Sequence, residues 1–303
     1  MTVPSGATYK PITVTVNGLT AYSQKPFVST FPASGGIDLN SFAAKVDVTV
    51  GTTNFNNQLS VGDLDGDSKP DLAIADQLAN SVSVIRNTSP AGSITFAPYV
   101  NLITGAGPQG IAVADLDGDG KLDVVSINNS SNTLSVFRNI SITGTITASS
   151  FAPKVDFSTG TNPVFCAIGD LDADGKPDLA VTNVNSNSVS VFKNISTSGA
   201  INFASKIDLT TGTGPRTVAF GDIDGDGKLD LAVTNYSSAS FSIFRNTSPG
   251  TITFAAKFDV STGTSINPLG LALGDLDADG KPDVVVTNDA GSTVSVFKNN
   301  STP

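Results

Sequence analysis

Nine residues, Asp222-Ile-Asp-Gly-Asp-Gly-Lys-Leu-Asp230, are written five times along the 303-residue chain, and no other feature limits the possible folds so tightly. The other copies begin at Asp63, Asp115, Asp170 and Asp275, separated by 52, 55, 52 and 53 residues. Each has Asp at loop positions 1, 3, 5 and 9, Gly or Ala at 4 and Lys at 7. Carboxylates this close repel: at about 4 Å and a surface-like dielectric each pair costs up to ~4 kcal/mol unless a cation lies between them. Alternating Asp residues let a short loop curl its side-chain oxygens around one point. That suits a hard cation taking six to eight oxygens, calcium better than magnesium, which keeps most of its water. The candidate ligands are Asp63, Asp65, Asp67 and Asp71 in the first loop and Asp115, Asp117, Asp119 and Asp123 in the second. Asp170, Asp172, Asp174 and Asp178 follow in the third, Asp222, Asp224, Asp226 and Asp230 in the fourth, and Asp275, Asp277, Asp279 and Asp283 in the fifth. Asp-Gly is also ordinary turn chemistry, but turn-making alone does not explain five acidic loops in one register.

Composition agrees. All 27 acidic residues are Asp, and 20 of them occupy these loop positions. One divalent ion per loop would bring the formal charge of −10 to zero, so the acidity reflects metal sites rather than attraction for basic partners. Lys and Arg are scattered without a basic stripe, which argues against nucleic acid. No apolar run approaches the roughly 18 residues of a membrane helix, so no membrane insertion is expected. Cys166, the single cysteine, sits in the apolar run Val-Phe-Cys-Ala-Ile and reads as core packing.

Residues 1–40 read as an N-terminal hairpin arm. Ile12-Thr-Val-Thr-Val16 alternates and ends at Asn17-Gly18, a hairpin-turn dipeptide, before a second extended run through Phe27-Val-Ser-Thr-Phe31. Residues 41–303 form one array with the period of a propeller or solenoid. Its third unit holds four strand-like runs: Phe151-Ala-Pro-Lys-Val-Asp-Phe157, Val164-Phe-Cys-Ala-Ile168, Asp178-Leu-Ala-Val-Thr182 and Ser188-Val-Ser-Val-Phe192. Four short antiparallel strands make a propeller blade, and no segment carries a sustained helical period. The expected fold is therefore all-β, a five-bladed β-propeller of four-stranded antiparallel blades. The Phe-Ala run opens at Phe42, Phe96, Phe151, Phe203 and Phe254, always ahead of a loop, and none follows the last copy. With that run as a blade's outer strand, the Phe42 strand lacks a blade and the last blade lacks an outer strand. Joining them would close the ring and remove two exposed edges.

The loops and their flanks, as in Val218-Ala-Phe-Gly-Asp-Ile-Asp-Gly-Asp-Gly-Lys-Leu-Asp-Leu-Ala-Val233, resemble FG-GAP/VCBS repeats, the units of integrin α-subunit propellers and of many bacterial surface proteins. The resemblance covers about residues 41–299 and implies one calcium ion per blade, five in all. It implies side-chain oxygens from positions 1, 3, 5 and 9 and the backbone carbonyl of position 7, here Lys69, Lys121, Lys176, Lys228 and Lys281. Two departures stand out: such propellers most often have seven blades, and position 6 is Ser68 in the first loop where the others have Gly. If position 6 needs positive φ, Ser costs of order 1 kcal/mol there and weakens the first site. The hairpin from Ala7 to Ser23 resembles the closing strands of an IPT/TIG domain. An EF-hand would need a twelve-residue loop ending in Glu, and the chain has none; RTX repeats would recur every nine residues.

The function expected is a calcium-stabilised, extracellular, monomeric binding or adhesion module, with carbohydrate or a cell-surface protein as ligand. The ligand face opposite the loops would present residues 128–132 and 183–187, Asn235, Tyr236, Asn288 and Asp289, with Gln109, Phe165 and Arg216, although Asn and Ser also simply make turns. Asn-x-Ser/Thr at Asn87, Asn139, Asn194, Asn246 and Asn299 fits a glycosylation acceptor, but its recurrence at one strand end points to a turn role. A structural spacer, and less readily a polysaccharide-degrading enzyme, are the other readings. With neither His nor Glu in the chain, general acid–base catalysis has few groups to use, and no catalysis is expected.

Overall fold

The computed structural model describes residues 11–16, 19–26, 41–51, 56–264 and 266–301. Strands β1 (Pro11–Val16) and β2 (Leu19–Pro26) pair antiparallel with Val16 opposite Leu19, the register that a two-residue turn imposes. The Asn17-Gly18 dipeptide and the run at 27–31 lie outside the described residues.

Five antiparallel sheets follow. The first is β3 (Asn56–Gly62), β4 (Asp71–Asp76), β5 (Ser81–Ile85) and β6 (Val100–Ile103). The second is β7 (Pro108–Ala114), β8 (Asp123–Asn128), β9 (Thr133–Phe137) and β10 (Val155–Ser158). The third is β11 (Pro163–Gly169), β12 (Asp178–Asn183), β13 (Ser188–Phe192) and β14 (Ile207–Thr210). The fourth is β15 (Pro215–Gly221), β16 (Asp230–Asn235), β17 (Ser240–Phe244) and β18 (Phe258–Ser261). The fifth has three strands, β19 (Pro268–Gly274), β20 (Asp283–Asn288) and β21 (Thr293–Phe297). Every sheet is a meander in chain order, and every aspartate loop joins its first strand to its second. Among the described residues the only helices are two short 3-10 turns, Ala148–Ser150 and Tyr236–Ser238. No helix there is long and apolar enough to cross a membrane.

The burial pattern explains the sequence of each strand. Second and third strands such as β12 and β13 are buried at every residue, because neighbouring sheets cover both faces. In β12 and β13 the residues are accordingly apolar or small, with Thr182 and Ser190 finding partners for their hydroxyls. Four apolar clusters fill the four spaces between successive sheets. In one of them, Val125, Ile127, Leu134 and Val136 of the second sheet meet Cys166, Leu179, Val181 and Phe192 of the third. Burial pushes the Cys166 thiol up to about 12, as suits a packing residue. The inner strands β3, β7, β11, β15 and β19 pack in that order; among the described residues β19 makes no comparable contact with β3.

The Phe42 run departs from its expected role. Residues 43–51 form no strand, Phe42 is 76% exposed, and the fifth sheet ends at β21. The later runs show why. Phe96, Phe151, Phe203 and Phe254 each bridge to the Asn two residues beyond the third strand of the sheet whose fourth strand they lead into, Asn87, Asn139, Asn194 and Asn246. Among the described residues Phe42 makes no such bridge. Two end faces are therefore left uncovered by the described residues. Leu59 and Val61 are 66% and 42% exposed on the first sheet, while Ile111, in register with Leu59, is 6% exposed. On the fifth sheet Val294 and Val296 are uncovered, whereas their counterparts Leu134 and Val136 are buried.

Candidate metal centres

Each aspartate loop is folded around its own carboxylates. In the second loop Asp115 Oδ1 accepts the N–H groups of Gly118 (2.8 Å) and Asp119 (3.1 Å), and Asp115 Oδ2 accepts that of Gly120 (2.9 Å). Asp119 Oδ1 in turn accepts Lys121 N–H at 2.9 Å. Asp123, the first residue of β8, accepts Leu116 N–H on Oδ2 (2.9 Å) and Asn139 N–H on Oδ1 (2.8 Å). These bonds turn the backbone so sharply that positions 4 and 6 take positive φ in all five loops. Ser68 does so at 70°, as its place in the pattern predicts, and so do Ala173 (59°) and Ala278 (63°) at position 4.

The donor set fits a divalent cation. In the first four loops one oxygen from each of positions 1, 3 and 9 lies within 4.8 Å of the others, as in Asp63, Asp65 and Asp71; in the fifth the group is Asp275, Asp277 and Asp279. Oxygens on one calcium ion at 2.3–2.6 Å are at most about 5 Å apart, so the spacing matches. The position-5 residues Asp67, Asp119, Asp174 and Asp226 fall outside these groups, as does Asp283 in the last loop. Electrostatics point the same way. Burial, followed by the neighbouring loop carboxylates, pushes Asp71, Asp123 and Asp178 up to about 7, even though each accepts two backbone N–H groups. Burial also raises Asp63, Asp115 and Asp170 at position 1. Asp172 Oδ1 is buried with no hydrogen-bond partner. Carboxylates held charged in such a place need a cation beside them.

Two partners of the loops were hidden in the sequence. One is a basic residue 23 positions after each loop start: Arg86, Arg138, Lys193, Arg245 and Lys298. Each bridges the carboxylates of positions 3 and 5, as Arg86 does to Asp65 (2.5 Å) and Asp67 (3.3 Å). The other is the next residue, the Asn of Asn-x-Ser/Thr. Asn194 Nδ2 donates to Pro177 O of its own loop (3.0 Å) and to Leu116 O of the preceding loop (2.8 Å). Asn139, Asn246 and Asn299 repeat this double bond. The fully buried amides of Asn139, Asn194 and Asn246 thus tie neighbouring loops together and are unavailable to a glycan. Their fixed offset from the aspartates was the available signal. The position-7 lysines brace the same strand end from below: Lys121 and Lys176 donate to Ser141 O (2.8 Å) and Ser196 O (2.7 Å), and Lys281 to Ser301 O. Lys69 and Lys228 pair with Asp67 and Asp226 instead.

On the opposite face most of the expected ligand-reading residues are structural. Asn128, Asn183, Asn235 and Asn288 are buried and donate to Ser and Thr hydroxyls of their own sheets. Asn132 and Asn187 accept the N–H groups of Asn162 and Gly214 at the entry to the next sheet. Phe165 joins the cluster between the third and fourth sheets, and Gln109 is half-buried. Arg216, Tyr236 and Asp289 do come together: the guanidinium lies 5.0 Å from the Tyr236 ring centroid, and Tyr236 Oη donates to Asp289 at 3.0 Å.

Comparison with known proteins bears on both fold and loops. A T-cell immunomodulatory protein homolog of Plasmodium yoelii yoelii is 28% identical over 256 residues, 78% of this chain but only 35% of that protein's length. Among solved structures, BBS1N in complex with ARL6DN matches with a TM-score of 0.50 at 13% identity, covering 98% of this chain and 74% of that one. A protein from Lactobacillus plantarum matches at 0.49 and 14% identity, over 80% and 63%. The FG-GAP-like repeat matches residues 63–126, 115–181, 170–233 and 224–286, registering on the aspartate loops, and the chain belongs to that repeat family.

Proposed function

We propose that this chain is a calcium-stabilised, extracellular binding module with no catalytic activity. The observation that carries the reading is the fivefold carboxylate group, three oxygens within 4.8 Å in every loop. Position 7 adds its carbonyl, as in the family pattern. Each ion would cross-link a hairpin turn whose carboxylates otherwise repel, and such exposed loops suit the millimolar calcium outside cells. If calcium binds the native state alone, a site held at 100 times its Kd adds about 2.7 kcal/mol. Thermal melts with calcium and with EGTA test this, and coincident melts would remove the calcium role.

For the ligand, the Arg216–Tyr236–Asp289 cluster offers a cation, an aromatic face and a carboxylate on the side away from the metal loops. That combination suits an acidic carbohydrate or a surface protein. The recurrent aspartates outside the loops have structural partners, since Asp156, Asp208 and Asp259 each accept a serine hydroxyl and pair with a lysine. This supports the non-catalytic reading. A glycan array and a pull-down with Arg216→Ala as control test the binding role: silence in both assays leaves a spacer, and turnover of a polysaccharide would replace the module with an enzyme.

The array of residues 41–303 closes, in this reading, face to face as a five-bladed monomeric ring. The uncovered halves, Leu59 with Val61 and Val294 with Val296, repeat the residue types that fill the internal spaces. Closure would also give Asn87 Nδ2, which among the described residues donates to Pro70 O, a second acceptor at Leu276 O. Small-angle scattering tests it: a compact monomer agrees, and an elongated particle contradicts.

A further inference from the structure

We propose that the basic residue following each loop is a tethered counter-ion, which holds the carboxylates of positions 3 and 5 when calcium is absent and gives them up when calcium enters. The inference rests on the calcium reading above and concerns side chains of this chain that no ligand pattern includes. Its basis is geometric and appears five times. Arg86 reaches Asp65 and Asp67 at 2.5 and 3.3 Å, and Arg138 reaches Asp117 and Asp119 at 3.5 and 3.6 Å. Lys193 contacts Asp172 and, at 3.1 Å, Asp174. Arg245 contacts Asp224 and, at 3.5 Å, Asp226; Lys298 contacts Asp277 and, at 3.1 Å, Asp279.

These pairs differ from ordinary surface pairs in two respects. One cation spans two carboxylates, and the position-3 carboxylate is fully buried in the first three loops. The cation is also anchored: the next residue donates its backbone N–H to the position-9 carboxylate, as Asn139 does to Asp123 (2.8 Å). The basic side chain therefore cannot drift away while the strand end is in place. The basic group holds Oδ2 of position 3 in every loop, so an ion entering beside that carboxylate has to share its charge with the side chain. The expected consequences are a loop that keeps its shape without metal and a calcium affinity held down by an internal competitor.

The test uses the full chain with Arg138→Gln and Arg138→Lys, calcium binding by equilibrium dialysis and calorimetry, and melting in EGTA. If the counter-ion is displaced, Arg138→Gln makes one site about tenfold tighter, the scale of removing one partly buried charge-assisted pair, and lowers the melting temperature in EGTA. Arg138→Lys restores the parental affinity. Because Arg138 lies beside buried groups, Arg245→Gln on the more exposed fourth loop repeats the measurement. Unchanged or weaker calcium binding in both Gln variants, with the parent binding normally, overturns the counter-ion and leaves the calcium reading standing. A parent that binds no calcium at millimolar concentration removes both.

Discussion

Asn194→Ala removes a side chain that touches two loops at once. Asn194 is fully buried; Nδ2 donates to Leu116 O (2.8 Å) and Pro177 O (3.0 Å), and Oδ1 accepts Ser196 N–H (2.8 Å). Each bond contributes a net ~0.5–1.5 kcal/mol, and the buried Leu116 carbonyl is stranded without a partner, so the expected cost is about 3–5 kcal/mol. Asn194→Asp keeps the shape and replaces the donor with an acceptor facing two carbonyls; it is expected to cost at least as much. Urea unfolding followed by far-UV circular dichroism in saturating calcium measures both. Repeat arrays need not unfold in one step, so the first transition is the one to compare. A cost below about 1 kcal/mol for Asn194→Ala would refute the idea that this amide joins adjacent sheets.

Replacing the non-glycine residues at positive φ should stabilise the protein: Ser68→Gly, Ala173→Gly and Ala278→Gly are each expected to add about 1 kcal/mol, and the reverse change Gly120→Ala to cost as much. A Cβ built on Gly120 meets no atom within 4 Å, so that cost is purely conformational; melting temperatures decide it. The metal-free protein should be more stable at pH 5 than at pH 8. Asp71, Asp123 and Asp178 bind their protons more tightly folded (about 7) than unfolded (3.8), so this contribution is complete below pH 4 and is lost as pH rises through 7. Calcium affinity should rise over the same interval, because binding displaces those protons; melts in EGTA and titrations at the two pH values check both signs.

The five sheets, their meander order and the placement of each loop between first and second strands were legible because strand runs of period two alternate with Gly-, Asn- and Asp-rich turns. The loop aspartates were legible because nothing else accounts for their spacing. What the sequence concealed was pairing across the repeat. Arg86 or Asn139 looks like an ordinary strand-end residue until the third strand is laid beside the loop, and only then does its offset of 23 or 24 residues acquire a meaning. The buried Asn residues at the ends of the second strands misled for the opposite reason: polar residues in a turn-rich stretch read as surface, whereas sheets on both sides enclose Asn183 and Asn235. The Phe42 run carries the same local pattern as its successors, but a strand there needs a sheet edge to pair with, and among the described residues none pairs with it.

Calcium stoichiometry, measured by equilibrium dialysis on protein first stripped with EGTA, tests the account most directly. Five ions per chain at millimolar calcium, falling to four when Asp115 and Asp117 are replaced by Asn, is the predicted result. Fewer than one ion per chain, or a count that ignores those two substitutions, would contradict it.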